Sequence, residues 1–165
     1  MNAVRALSLI GGTIAIGVMA GVFFTYSVAV MPGLRRTDDR TFVGAFQSID
    51  RSIERAPTLL ALFGGLACVV AAVALHFEDG HRSALPWLIA AAVLYGAVVV
   101  ITGAVNVPRN TAIKAAGDAA AIDLVAVRAR FDEAWWLRWN HVRLALSLGA
   151  LGCMSWALVL FGRNS

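Results

Sequence analysis

The chain has 165 residues, 59% of them hydrophobic and 15% charged, with a formal net charge of +4. That balance excludes a soluble globule, which has no means of hiding so much apolar surface, and the length allows one domain over residues 1–165. The arginines flank apolar runs instead of clustering beside aromatic stacking platforms, so nucleic acid is excluded as a partner and anionic lipid headgroups are the expected counter-charge.

From Ala6 to Met31 there is no charged residue. An α-helix needs roughly 20 residues to cross the hydrocarbon, so this run is a first transmembrane span at about 6–31, retained and not cleaved as a signal peptide. Gly17 and Gly21 form a small-xxx-small pair that suits close helix contact. Tyr26 and Ser27 lie deeper than interface residues should, either as hydroxyls facing a partner helix or, for Tyr26, as part of a ligand cavity.

The first long loop, 32–57, contains an amphipathic helix at about 38–55, because Phe42, Phe46, Ile49 and Ile53 share one stripe at the helical period. Asp50 projects from the edge of that stripe. It is either a site residue or a carboxylate paired with Arg51, Arg55 or a helix N-terminus. The second span runs over about 58–77 and ends near His76. The third covers about 83–107, with Thr102, Asn106 and Asn110 at i, i+4 and i+8 around Pro108. Proline removes a backbone donor and disfavours helix at the residue before it, so the span is expected to end or kink there. Asn106 and Asn110 then either cap freed carbonyls or line a binding site at the broken helix end.

The third loop, 108–143, carries a second amphipathic helix at about 118–140, N-capped by Asp118 and running directly into the fourth span at about 144–162. Trp135, Trp136 and Trp139 are expected at the membrane interface. Trp136, Trp139, Asn140 and Arg143 share one helix face, and His141 is turned about 100° from Asn140. Arg143 is either a snorkelling anchor or an inward cation whose available carboxylates are Asp50 and Glu54.

These elements predict an all-α integral membrane four-helix bundle. Eleven of the fourteen Lys and Arg residues fall in the two long loops. The positive-inside tendency therefore places those loops in the cytoplasm and both termini outside, in a bacterial inner (plasma) membrane. Cys68 and Cys153 lie midway along apolar runs and read as small buried hydrophobes. His76, His81 and His141 lack the spacing of a metal site, so no cofactor is predicted and metal content stays open. A faint duplication also appears, with Thr25 ahead of Pro32 and Thr102 ahead of Pro108.

The segments Phe23-Phe24-Thr25-Tyr26-Ser27, Val30-Met31-Pro32-Gly33-Leu34, Gln47-Ser48-Ile49-Asp50-Arg51, Asn106-Val107-Pro108-Arg109-Asn110 and Trp139-Asn140-His141-Val142-Arg143 together resemble the anthrone oxygenase-like family of small membrane proteins. Asp50 stands where that family commonly has asparagine. The resemblance implies oxidation of an anthrone, or of another apolar phenolic or polyketide-type substrate, by molecular oxygen without an established organic cofactor. His141 or Asp50 is then the base, and Arg143, Asn106 and Asn110 hold the anionic oxygen. Tyr26 and Trp139 sandwich the ring, and Gln47, Thr102 and Asn140 complete the binding set. The expected partners are membrane lipid and an apolar aromatic small molecule, with a homo-oligomer left open. The rival reading is a non-enzymatic accessory, lipid-binding or small transport protein.

Overall fold

A computed structural model describes residues 2–77 and 82–163. Four of its helical runs are long and apolar enough to cross a membrane, and no strand occurs among the described residues. They are α1 (Asn2–Leu34), α3 (Ala56–Leu75), α4 (Leu85–Ala115) and the run Leu124–Arg163, which divides into α5 (Leu124–Phe131) and α6 (Glu133–Arg163). The amphipathic α2 (Asp39–Ile53) lies between α1 and α3. The result is an all-α integral membrane bundle. In lipid every backbone donor and acceptor must be satisfied within the segment, and helices do this with no partner strand.

Around the bundle α1 packs against α3 and α6, and α4 packs against α3 and α6, giving a square of antiparallel neighbours. One end is held by contacts between the beginning of α1 and the close of α3, where Arg5 Nε donates to the Leu75 carbonyl at 2.8 Å. Towards that end the core is apolar and continuous, with Leu9, Ile16, Val69, Leu88, Ala91 and Met154 fully or almost fully buried. His81 lies outside the described residues.

Close helix contact in this half falls on different glycines from the pair expected. A Cβ on Gly12 would stand 2.9 Å from Met154 Cε, and one on Gly65 would stand 3.1 Å from the Ala15 Cβ. Gly21, by contrast, has nothing near it and is exposed, and Gly17 approaches only Leu151. The small-xxx-small spacing thus faces outward at Gly21.

At the other end the helices change character. Each of the first three spans widens into a π turn, at Tyr26–Val30, Leu60–Gly64 and Thr102–Asn106. Two of them end immediately before an X-Pro step, Met31-Pro32 and Val107-Pro108. Proline has no N–H and crowds the carbonyl four residues back, and a π turn re-satisfies the ladder without breaking the helix. Met31 N–H accordingly bonds Tyr26 O, and Val107 N–H bonds Thr102 O. The faint Thr-to-Pro duplication marks these two turns. The third span therefore neither ends nor breaks at Pro108 but continues to Ala115, which corrects the expected capping role of Asn106 and Asn110.

Two loop expectations also change. Asp118 caps a turn, accepting from Ala120 N–H at 2.8 Å, while the N-cap of α5 is Asp123, which accepts from Ala126 N–H at 3.0 Å. α5 and α6 are separated by Asp132 in the left-handed region at φ 52°, and its carboxylate receives the Trp135 N–H at 3.1 Å. α2 begins on Asp38, whose Oδ1 accepts the Thr41 N–H at 2.8 Å. This bond holds the exposed carboxyl below its ordinary range.

Candidate functional site

α2 closes this end of the bundle by laying Phe42, Val43 and Phe46 against Met31, Ile113, Phe131 and Trp136 in a second apolar cluster. Aromatic edges and faces lock it, with Phe46 4.5 Å from Phe131 and 5.8 Å from Trp136 between ring centroids. The loops are tied down as well. Gln47 Nε2 donates to the Ile113 and Gly117 carbonyls at 2.8 and 3.0 Å, and Arg128 reaches Asp39 at 2.9 Å.

Between this lid and the spans lies a cavity of about 280 Å³. Its walls are apolar, from Met19, Phe23, Leu62 and Val99, and besides Thr58 of α3 its polar groups arrive from four helices. Asp50 comes from α2, Thr102 and Asn110 from α4, Asn140 and Arg143 from α6, and Tyr26 from the π turn of α1. Six of the ten residues singled out in the sequence therefore meet in one space.

Two polar chains run through it. In the first, Trp136 Nε1 donates to Asn110 Oδ1 at 2.7 Å, and Asn110 Nδ2 donates to Asp50 Oδ1 at 2.7 Å. The other Asp50 oxygen faces Lys114 Nζ at 2.9 Å, and Lys114 also meets Glu54. Asp50 is thus paired with Lys114 and Asn110, not with Arg51, Arg55 or Arg143. Burial raises its pKa above the ordinary 3.8, against the lowering by Lys114 and Asn110, while the nearby Glu54 charge adds to the rise.

In the second chain, Asn140 is clamped by its amide. Its Nδ2 donates to the Phe23 carbonyl at 2.8 Å and to Ser27 Oγ at 2.9 Å, at the turn where α1 passes into its π segment. Its Oδ1 then accepts from Arg143 at 3.0 Å, and Arg143 also donates to Thr102 Oγ1 at 3.3 Å. Phe23 and Trp136 present their rings 4.5 and 5.5 Å from the guanidinium carbon. Arg143 is buried and makes no ion pair with a carboxylate among the described residues, and its Nε has no hydrogen-bond partner. Neither snorkelling nor pairing with Asp50 or Glu54 describes it. It is a cation fixed inside the bundle by neutral oxygens and aromatic faces, open to an anionic or strongly dipolar ligand group.

The remaining candidates fall elsewhere. His141 is exposed on the outer side of α6. Gln47 serves as the clip described above. Asn106 is buried behind the wall, donating to the Trp136 carbonyl at 3.4 Å. Trp139 packs its ring on Trp135 at 5.8 Å and does not line the cavity. The indole in the wall is Trp136, 3% exposed, so it is a site residue and not an interface marker. Lys114 was also missed. Among the described residues no group of three or more His, Cys, Asp or Glu side chains is placed to hold a metal ion.

The family model described as anthrone oxygenase matches residues 50–153, a stretch that begins at Asp50 and includes the polar residues of α4 and α6. No curated protein and no solved structure matches the chain.

Proposed function

The chain belongs to the anthrone oxygenase family, and from that premise we propose that it is a membrane oxygenase that converts a flat, apolar phenolic methylene compound of the anthrone type into the corresponding ketone with molecular oxygen. The observation that carries this reading is a buried carboxylate and a buried guanidinium without carboxylate partner, facing one apolar cavity from different helices. An anthrone carries an acidic methylene opposite a carbonyl. A base at one end and a cation at the other match the charge that develops on deprotonation.

In this mechanism Asp50 takes the methylene proton. Its raised pKa makes it a better base than an ordinary carboxylate, and Asn110 and Lys114 hold its orientation. The enolate oxygen rests on Arg143, whose Nε has no partner of its own, while Thr102, donating to the Val98 carbonyl at 2.7 Å, accepts from the guanidinium and holds it in place. Phe23, Tyr26 and Trp136 bracket the ring plane. The carbanion gives electrons to dioxygen and forms a carbon–oxygen bond. The resulting hydroperoxide loses water, so that the methylene compound and one dioxygen become the ketone and one water. Dioxygen takes all four electrons, and Asp50 returns its proton to the departing oxygen. The charge bias of the loops supports a cytoplasmic position for this end of the bundle.

Oxygen uptake with 1,8-dihydroxyanthrone in nanodiscs tests the reading. One dioxygen should be consumed per anthraquinone formed, above the uncatalysed rate. Asp50→Asn keeps an acceptor for Asn110 but removes the base, and should lower the rate by about 10²–10⁴-fold. Uptake no faster than in empty discs would refute the oxygenase, and an Asp50→Asn variant as fast as the parent would remove Asp50 as base.

A further inference from the structure

The cavity is not sealed, and its exposed apolar wall residues lie on one side, while exposed Glu54, the ion-pair partner of Lys114, lines it from the end of α2. The α1 and α6 contributions are closed to the outside, with Met19 and Phe23 at 3%, Trp136 at 3% and Arg143 at 5% exposure. The apolar lining residues that are exposed come from α3 and α4: Leu59 at 43%, Phe63 at 55% and Val107 at 39%, together with exposed Gly103. Contacts between these two spans concentrate in Gly65–Leu75 and Leu85–Ile101. Where α3 and α4 part, Tyr95 donates its hydroxyl to the Ala61 carbonyl at 3.3 Å. That carbonyl belongs to the α3 π turn, Leu60–Gly64, and α4 carries its own π turn further on, at Thr102–Asn106. Gly103 sits within the second of these, and a Cβ built on it meets nothing within 4 Å.

We infer that ligand enters and leaves the site sideways, from the hydrocarbon of the bilayer, through an opening between α3 and α4 framed by Leu59, Phe63, Gly103 and Val107. Between α3 and α4 the frame is made of apolar side chains and one glycine, with the carboxylate of Glu54 at the end of α2 and held by Lys114, so this opening admits a neutral molecule already dissolved among acyl chains and excludes a charged one. Arg143, Asn140 and Asp50 lie inward of it. A flat molecule therefore enters with its oxygen-bearing edge leading and its apolar edge towards the lipid, and ionises only after entry. This deepens the oxygenase reading and shares its site, yet it concerns passage and can hold or fail separately.

Glycine at 103 makes the opening testable, because a large side chain there has room to fold and occupies the frame. A second shallow apolar groove, on the far side of Tyr26 and Ile53, contains exposed Gly21 and provides the comparison. With Trp136 as the sole tryptophan in nanodiscs, added 1,8-dihydroxyanthraquinone, which cannot react, should quench its fluorescence as it enters. Gly103→Trp would add a tryptophan, so the blocking variant for this assay is Gly103→Phe. A second form is Gly103→Cys, in a Cys68→Ala, Cys153→Ala background, labelled after folding with a bulky maleimide. Both should slow quenching at least ten-fold, while Gly21→Phe and labelled Gly21→Cys match the parent. Unchanged entry in both blocked Gly103 forms, or slowed entry in the Gly21 forms, would overturn the inference. Oxygen uptake by the parent is read separately, so a protein that admits the quinone between α3 and α4 but consumes no oxygen would refute only the reaction.

Discussion

The two halves of the bundle solve opposite problems with the same four helices. In the half holding Leu9, Val69, Leu88 and Met154, the backbone stays α-helical and glycines bring it close enough for side chains to fill the space. In the half holding Asp50, Asn110 and Arg143, three π turns widen the helices and polar groups from four elements surround a cavity. Without a hydrophobic force between helices in lipid, fit decides association, so the packed half supplies the rigidity and the widened half the vacancy. Tyr95 stands at the boundary, fully buried, with its hydroxyl on a carbonyl of the α3 π turn.

After Asp50, the largest effect that sharpens this contrast is expected at Arg143. Arg143→Gln keeps a donor and removes the charge, and should lower kcat in the anthrone oxygen-uptake assay by about 10²–10³-fold, the scale of one lost oxyanion donor. A merely structural arginine would instead alter thermal stability and leave kcat of the folded fraction intact. A smaller effect separates the halves through one methyl group. Gly65→Ala should destabilise by about 1–3 kcal/mol, because the added carbon meets the Ala15 Cβ and the Tyr95 ring. Gly103→Ala meets nothing and should leave the midpoint of thermal unfolding in detergent where it was. Equal shifts in the two variants would erase the distinction between a packed and an open half.

Much of this was legible in the sequence because polar groups are expensive in lipid. Charge-free runs located the spans, and the cost of burying Asn110, Asn140 and Arg143 singled them out before any contact was known. The misses have physical causes. Reading Pro108 as a break stopped the Thr102, Asn106, Asn110 stripe one turn short of Lys114, the partner of Asp50, since a π turn leaves no mark in a 3.6-residue period. For Trp136 the sequence supports both an interface position and a place on the face of Asn140 and Arg143, at i−4 and i−7 from them, and the structure realises the second. Trp139, at the edge of that face, turned to Trp135 instead. His141 has the chemistry of a base, but its position one residue past Asn140 turns it outward.

The most direct test of a buried, tuned carboxylate as the working base is the acid limb of kcat/KM for anthrone oxidation. In the parent this limb should lie above pH 3.8, since burial and Glu54 raise the pKa of Asp50 and activity requires its ionised form. Lys114 opposes that rise, so Lys114→Met should move the limb to still higher pH. A limb that stays in place or moves down in Lys114→Met would contradict the assignment of Asp50.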